Sequence, residues 1–402
     1  MLDKDAKLPT GDSLIDGVAD WLMTQALSEV TLENLLDGCC ARLAAAGVPL
    51  ERSHIAFRTL HPLFHAIGLT WQRGRGVASE SFPRGDPVMS DRFRQGPLFH
   101  MIESQIPFLR RRLTGDEALL DFPALVEFRD QGLTDYLGFM VRFSDDPDDG
   151  IVGSWATDRA SGFSDRDIQT LRRIQRRLGV AFKVHIREQI ARNVLTTYLG
   201  PKTGLRVLDG QIHRGDGETI HAAIWYSDLR NSTRLAAKLA PDAFFHLLNR
   251  YFECTAGAVL DAGGEVLLLI GDAVLAIFPL GPGVREVTAC RKALAAAREA
   301  KVRLARANEM PDAGPSLKCG VGLHIGKVMY GNIGVPERLE FTVIGRAVNE
   351  VARLEGLTKT LDSGILVSAD FARHLPLEWQ ALGAHKFEGL DGPQEVFAPP
   401  SQ

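Results

Sequence analysis

The spacing of apolar positions changes several times along the 402-residue chain. After a weakly patterned start, Leu32, Leu35, Leu36, Cys39, Cys40 and Leu43 recur at helical spacing. Thr31 stands where an N-cap belongs, and Gly47 with Pro49 beyond it closes the run. From Ser53 to Arg75, and again from Gly132 to Ala156, the period shortens to that of strands, with Asp-Pro and Asp-Gly turns between Asp146 and Gly150. Helix, sheet and helix in succession predict an α+β module. Ser164 with Asp167 then opens a helix like a capping box. Its apolar seam is Ile168, Leu171, Ile174, Leu178, Phe182, Ile186 and Ile190, opposite Arg172, Arg173, Arg176, Arg177 and Lys183. A helix with one such seam either pairs with its twin in a short parallel coiled coil or packs on its own domain. Pro201 and Gly204 interrupt the pattern, and Gly200 to Gly217 reads as a linker.

The remaining stretch is organised around two aspartates. A strand-like run from Ile220 to Ser227 ends at Asp228, and Leu229-Arg230-Asn231-Ser232-Thr233 opens a helical pattern. Helical spacing holds from Pro241 to Leu260. Val266 to Phe278 then reads as two buried-type strands joined at Gly271-Asp272, a two-residue hairpin turn. An Ala/Arg-rich helix from Val284 to Asn308 precedes Leu317 to Ile325, whose odd-numbered apolar residues predict a half-buried strand. Strands and helices interleaved around a hairpin fit a ferredoxin-like α+β core. If the two strands are neighbours, Asp228 and Asp272 meet, and paired carboxylates suit Mg²⁺ or Mn²⁺ and two-metal phosphoryl transfer. The plainer reading of either residue alone is a cap or turn aspartate.

Composition narrows the partners. A net charge of -4 gives no nucleic-acid-binding surface, and five cysteines without framework spacing point to a reducing compartment, with Cys39 and Cys40 as core residues. Apolar runs stay short of the roughly 18 residues that a membrane span needs, and the amino terminus lacks a signal-peptide shape. The expectation is a cytoplasmic protein with no membrane insertion. His61, His65, His100 and Met101 lack ligand spacing, and Arg110-Arg111-Arg112 reads as a solvated face.

A third element completes a recognisable set. In Phe341 to Glu355, Asn349 and Arg353 are spaced i, i+4 and share a helical face. Together with Asp228, the Ile-Gly-Asp hairpin and Gly322-Leu323-His324-Ile325-Gly326, this closely resembles the catalytic domain of class III nucleotide cyclases. The resemblance runs from about Gly217 to Ala398. Ahead of it, Gly162-Phe163-Ser164-Asp165-Arg166-Asp167 leading into a long helix vaguely resembles the end of a GAF or PAS-like sensor domain. The expected organisation is therefore an α+β sensor over residues 1–163, a coupling helix and linker over 164–217, and the cyclase domain over 218–402.

The resemblance implies that Asp228 and Asp272 hold two Mg²⁺ or Mn²⁺ ions with help from the Leu229 backbone carbonyl, and that amides at Asn231, Ser232 and Thr233 cradle phosphates. It gives Asn349 the orientation of the ribose and Arg353 the stabilisation of charge on the α-phosphate. It also implies a homodimer with composite sites, the Asp pair from one chain and the Asn/Arg pair from the other, with Lys327 to Arg338 as a dimerisation arm and His324 as structural. The reaction implied is conversion of ATP to 3′,5′-cyclic AMP and pyrophosphate.

Three positions depart from the adenylyl cyclase pattern. Leu268 stands where a base-contacting Lys is usual, and Glu388 where a phosphate-contacting Lys is frequent; Thr342, the second base position, matches a bacterial adenylyl group. A missing polar contact weakens base discrimination by about 1 to 3 kcal/mol. The alternatives are a cyclase for GTP or a pyrimidine triphosphate, and a non-catalytic nucleotide-binding module. A diguanylate cyclase, suggested by Gly263-Gly264-Glu265, lacks counterparts to Asn349 and Arg353. The signal for the amino-terminal module, small molecule or protein, stays unnamed.

Overall fold

The computed structural model describes residues 11–400 apart from 86, 147, 282, 312, 313, 388, 390 and 391, and the chain divides into two compact units, Met1–Val194 and Leu195–Gln402. The first unit runs α1 (Gly11–Gln25), α2 (Leu32–Ala45), β1 (Arg52–Arg58), β2 (Phe64–Gln72), β3 (Gly76–Pro83), α3 (Pro87–Arg94), α4 (Pro97–Glu103), β4 (Phe108–Arg112), α5 (Pro123–Asp130), β5 (Asp135–Arg142) and β6 (Gly150–Thr157), and ends within the long α6 (Asp165–Leu199). Its strands form one antiparallel sheet ordered β3-β2-β1-β6-β5-β4. Thr31 caps α2, its hydroxyl accepting the Asn34 amide at 3.2 Å, and Leu32 to Leu43 bury the stripe read from the sequence.

The α6 seam is committed inside this unit. Leu171, Ile174, Leu178, Phe182 and Ile186 lie in one core with Ile55, Phe57, Trp155 and the α1 and α2 stripes. Their hydrophobic burial is satisfied within the chain. The arginine run on β4 is a correction to the reading of a solvated face. Arg110 and Arg112 reach the fully buried carboxylate of Asp135 at 2.8 and 3.3 Å, and the Phe163 amide donates to it at 3.0 Å. A buried charge requires such partners, and these arginines supply them.

The second unit contains α7 (Pro201–Leu208), β7 (Gly217–Leu229), α8 (Ser232–Lys238), α9 (Pro241–Asp261), β8 (Glu265–Ile270), β9 (Ala273–Pro279), α10 (Glu286–Glu309), β10 (Cys319–Val335), β11 (Arg338–Ile344), α11 (Arg346–Leu357), β12 (Ile365–Ser368), α12 (Ala369–Ala372), β13 (Gln380–Lys386) and β14 (Pro393–Ala398). The sheet is ordered β13-β14-β12-β10-β7-β9-β8, with β11 paired to the far end of β10. Within it, β7-α9-β8-β9-α10-β10 is the expected ferredoxin-like βαββαβ unit, with β7 central.

Both sheet faces are covered. Ala223 and Trp225 point into the α9 and α10 side, whereas Ala222 and Ile224 join Ala347 and Val351 of α11 on the other. This corrects the expectation of a half-buried strand at 317–325. Cys319 to Ile325 are buried throughout, because helices lie on each side of β10.

The 200–217 stretch is more than a plain connection. Pro201 sits in the first turn of α7, where its missing amide proton costs nothing. Lys202 pairs with Glu265 at 2.6 Å, and Tyr330 donates to Glu265 at 2.9 Å. Further on, Gly217 packs so closely on β10 that an added Cβ would come within 2.9 Å of the Tyr330 carbonyl oxygen. All five cysteines are buried free thiols.

Candidate active site

The site forms where β7 and the β8–β9 hairpin end side by side. Asp228 pairs with Ala273 across the β7–β9 ladder, which places it next to Asp272 in the Gly-Asp turn. Gly271 adopts φ 62, the left-handed backbone that such a turn needs and glycine tolerates. The Asp272 Oδ2 atom is buried and makes no hydrogen bond among the described residues. Burial first, then the adjacent Asp272 charge, raise the Asp228 carboxyl above its ordinary range; Lys359 and Arg230 oppose the rise. A half-buried acid pair with an orphaned oxygen is the chemistry that a hard divalent cation satisfies, so the residues present fit such an ion.

A second layer, not seen in the sequence, surrounds Asp228. Arg230 donates to Glu355 at 3.1 Å and to the buried hydroxyl of Thr358. Lys359 Nζ lies 3.9 Å from Asp228 Oδ1. Gly320 stands opposite Asp228 in the β7–β10 ladder. Arg230 and Thr358, for example, lie 128 positions apart in the chain, so no local spacing announces the layer.

The other sequence-derived positions fall as follows. Leu229 is buried, and Asn231 takes a left-handed conformation (φ 60) as it leads into α8 with Ser232 and Thr233. At seven residues α8 is too short to add much dipole at its start. Asn349 and Arg353 lie one turn apart on the exposed face of α11, whose opposite face buries Ala347, Glu350, Val351 and Leu354. Leu268 follows a bulge in β8 and packs at the edge of the cluster containing Phe341 and Val343.

Thr342 is buried opposite Gly331, and its hydroxyl makes no hydrogen bond among the described residues. It lines a cleft of about 360 Å³ with Met329, Asn332, Ile333 and Ile344. His324 is buried, 2.8 Å from the Ser368 hydroxyl, which fits a structural role. Glu388 lies outside the described residues; Lys386 and His385 end β13 nearby.

Residues 217–397 match the adenylate and guanylate cyclase catalytic domain family. An uncharacterised protein of Mycobacterium tuberculosis is 38% identical over 187 residues, covering 46% of this chain and 33% of that protein. An adenylate cyclase of Anabaena cylindrica is 34% identical over 170 residues, covering 41% of this chain and 32% of that protein. The aligned part of the chain thus spans about a third of the length of these curated relatives. Among solved structures, a bacterial light-regulated adenylyl cyclase is 28% identical over 45% of this chain and 91% of its own, with a TM-score of 0.40. A guanylyl cyclase is 26% identical over 45% and 92%, also at 0.40. Residues 217–397 thus have the fold and family match of a class III nucleotide cyclase catalytic domain. Among the described residues no helix is long and apolar enough to cross a membrane.

Proposed function

We propose that the protein is an adenylate cyclase, converting ATP to 3′,5′-cyclic AMP and pyrophosphate in a cytoplasmic homodimer. The observation that carries this reading is the meeting of Asp228 and Asp272 beside an orphaned carboxylate oxygen, inside a cyclase domain. Asp228, Asp272 and the Leu229 carbonyl would hold two Mg²⁺ or Mn²⁺ ions. Bound there, the ions would acidify the ribose 3′-hydroxyl and offset the charge of the triphosphate. Asn349 orients the ribose, and Arg353 offers a permanently charged fork to the α-phosphate. The amides at 231–233, which open α8 just after Asp228, would offer backbone donors to phosphate oxygens.

Exposure of Asn349 and Arg353 is what a site completed by a second chain requires. The β10–β11 hairpin supports that assembly, since Met329, Ile333, Val335 and Ile344 are exposed apolar side chains within one stretch. The amino-terminal unit would receive a small-molecule or protein signal.

Base choice has a second reading. Leu268 offers no hydrogen bond and Thr342 only a hydroxyl, so the pocket discriminates among bases more weakly than one with two polar contacts. A cyclase for GTP or a pyrimidine triphosphate is therefore the alternative.

The test supplies ATP, GTP, CTP and UTP in turn with Mg²⁺ or Mn²⁺ and identifies products by mass spectrometry, with Asp272→Ala and Arg353→Ala as controls. Cyclic AMP lost in both controls supports the reading. Another cyclic nucleotide changes the base assignment, and ATP binding without any cyclic product makes the domain a regulatory module.

A further inference from the structure

We propose that Lys359 is a triphosphate-binding residue of this domain, held against Asp228 until nucleotide and metal arrive together. The inference rests on the cyclase reading and adds a residue to it. Lys359 follows immediately after α11, whose C-cap, Thr358, is buried and fixed by Glu355 and Arg230. The root of the Lys359 side chain is therefore anchored, while the side chain itself is 54% exposed. That combination leaves a four-carbon stem free to carry its charge over a few ångströms at the mouth of the site.

The charges in the second layer explain why the mobile cation is Lys359 and not Arg230. Arg230 is committed, one nitrogen to Glu355 and another to Thr358, with its side chain 18% exposed. Both cations act on Asp228 and on Glu355. Lys359 is the more exposed of the two, and Asp228 is its one ion pair among the described residues. Occupation of the acid pair by divalent ions would reverse the local sign and repel an ammonium less than 4 Å from Asp228. A triphosphate brings several negative oxygens to the same mouth. The ammonium then has a better partner within its reach, and a compact cation with three donors suits phosphate oxygens that differ in position.

Two consequences of opposite sign follow. Without nucleotide, Lys359 competes with metal for Asp228; with nucleotide, it adds to binding. A merely structural lysine would move both affinities in one direction. The experiment uses the full chain and the variants Lys359→Met, Lys359→Arg and Asp272→Ala. Mn²⁺ binding is followed by electron paramagnetic resonance without nucleotide, and binding of a non-cyclisable α,β-methylene ATP is measured in the presence of Mn²⁺.

For Lys359→Met the expected result is tighter Mn²⁺ binding alone and about tenfold weaker binding of the analogue, the loss typical of one charge-assisted hydrogen bond. Lys359→Arg, which keeps the charge, recovers most of the analogue affinity. Weakening of both ligands together, or no change in either while Asp272→Ala abolishes Mn²⁺ binding, overturns the role of Lys359 and leaves the metal site standing. Unaltered Mn²⁺ binding in Asp272→Ala removes the metal site and this inference with it.

Discussion

Gly320 stands opposite Asp228 in the β7–β10 ladder, and the space that a side chain at Gly320 would take is already filled by Arg230, Glu355 and Thr358. An added Cβ would collide with all three. The glycine is therefore required by close approach and not by its backbone angles. Gly320→Ala is expected to destabilise the carboxy-terminal unit by about 1 to 3 kcal/mol through overpacking. It should also displace Arg230, lowering both the melting temperature and cyclase activity; an unchanged melting curve would contradict the packing.

The two aspartates should trade stability for function. Asp228 is raised by burial and by the charge of Asp272, so the folded state holds that proton more tightly than the unfolded chain does. The associated stability is present at low pH and is lost as pH rises through the raised value. Asp272→Asn removes the neighbouring charge. The metal-free variant is expected to melt roughly 2 °C higher than the parent at pH 7, a shift that about 0.5 to 1 kcal/mol produces in a domain of this size. Its activity should be absent. Calorimetry of both proteins in chelator checks the sign.

Arg353→Ala should retain the fold, since the side chain lies on the exposed face of α11, and lose about a hundredfold in kcat through lost electrostatic stabilisation. A composite site makes a stronger demand. Arg353→Ala and Asp272→Ala, each nearly inactive alone, should regain about a quarter of parent activity when mixed and allowed to exchange subunits, because half of the dimers then contain one intact site of two. Failure to complement would place both residues in a site built from a single chain.

His324 gives the domain an acid limit. Burial, its first cause, pushes the imidazole down to about 4; Asp370 opposes this, while Arg346, Arg373 and His221 add to it. The Ser368 hydroxyl accepts the Phe371 amide and is left with its own proton to donate to His324, which suits a neutral ring. As pH falls below about 6.5 the unfolded chain gains a proton that the folded one refuses, so stability is present above that value and is lost toward pH 4. The loss amounts to roughly 3 kcal/mol at most. In His324→Gln the dependence of melting temperature on pH between 6.5 and 4.5 should flatten.

What could be read in the sequence was local. The run to Asp228 and the Gly271-Asp272 turn declare themselves through period and turn chemistry, which involve neighbours in the chain. The stripes of α2 and α6 are legible for the same reason. Arg110 and Arg112 were misread because their partner, Asp135, lies 25 and 23 positions away, so that only the run of charge was visible. The β10 strand suggested one wet face because its glycines look like gaps, whereas Gly322 lies against the backbone of α11. Pro201 is ambiguous alone, since the same ring that interrupts a helix also begins one.

The length of β7 has a consequence of its own. Its first residue, Gly217, pairs with Gly331, which pairs in turn with Thr342, while Asp228 stands near its other end. Roughly 35 Å of continuous strand therefore separates the level of Thr342, the proposed base position, from Asp228, the proposed metal position. In the proposed homodimer those two ends belong to different sites. One continuous strand would then set the spacing between the two proposed sites.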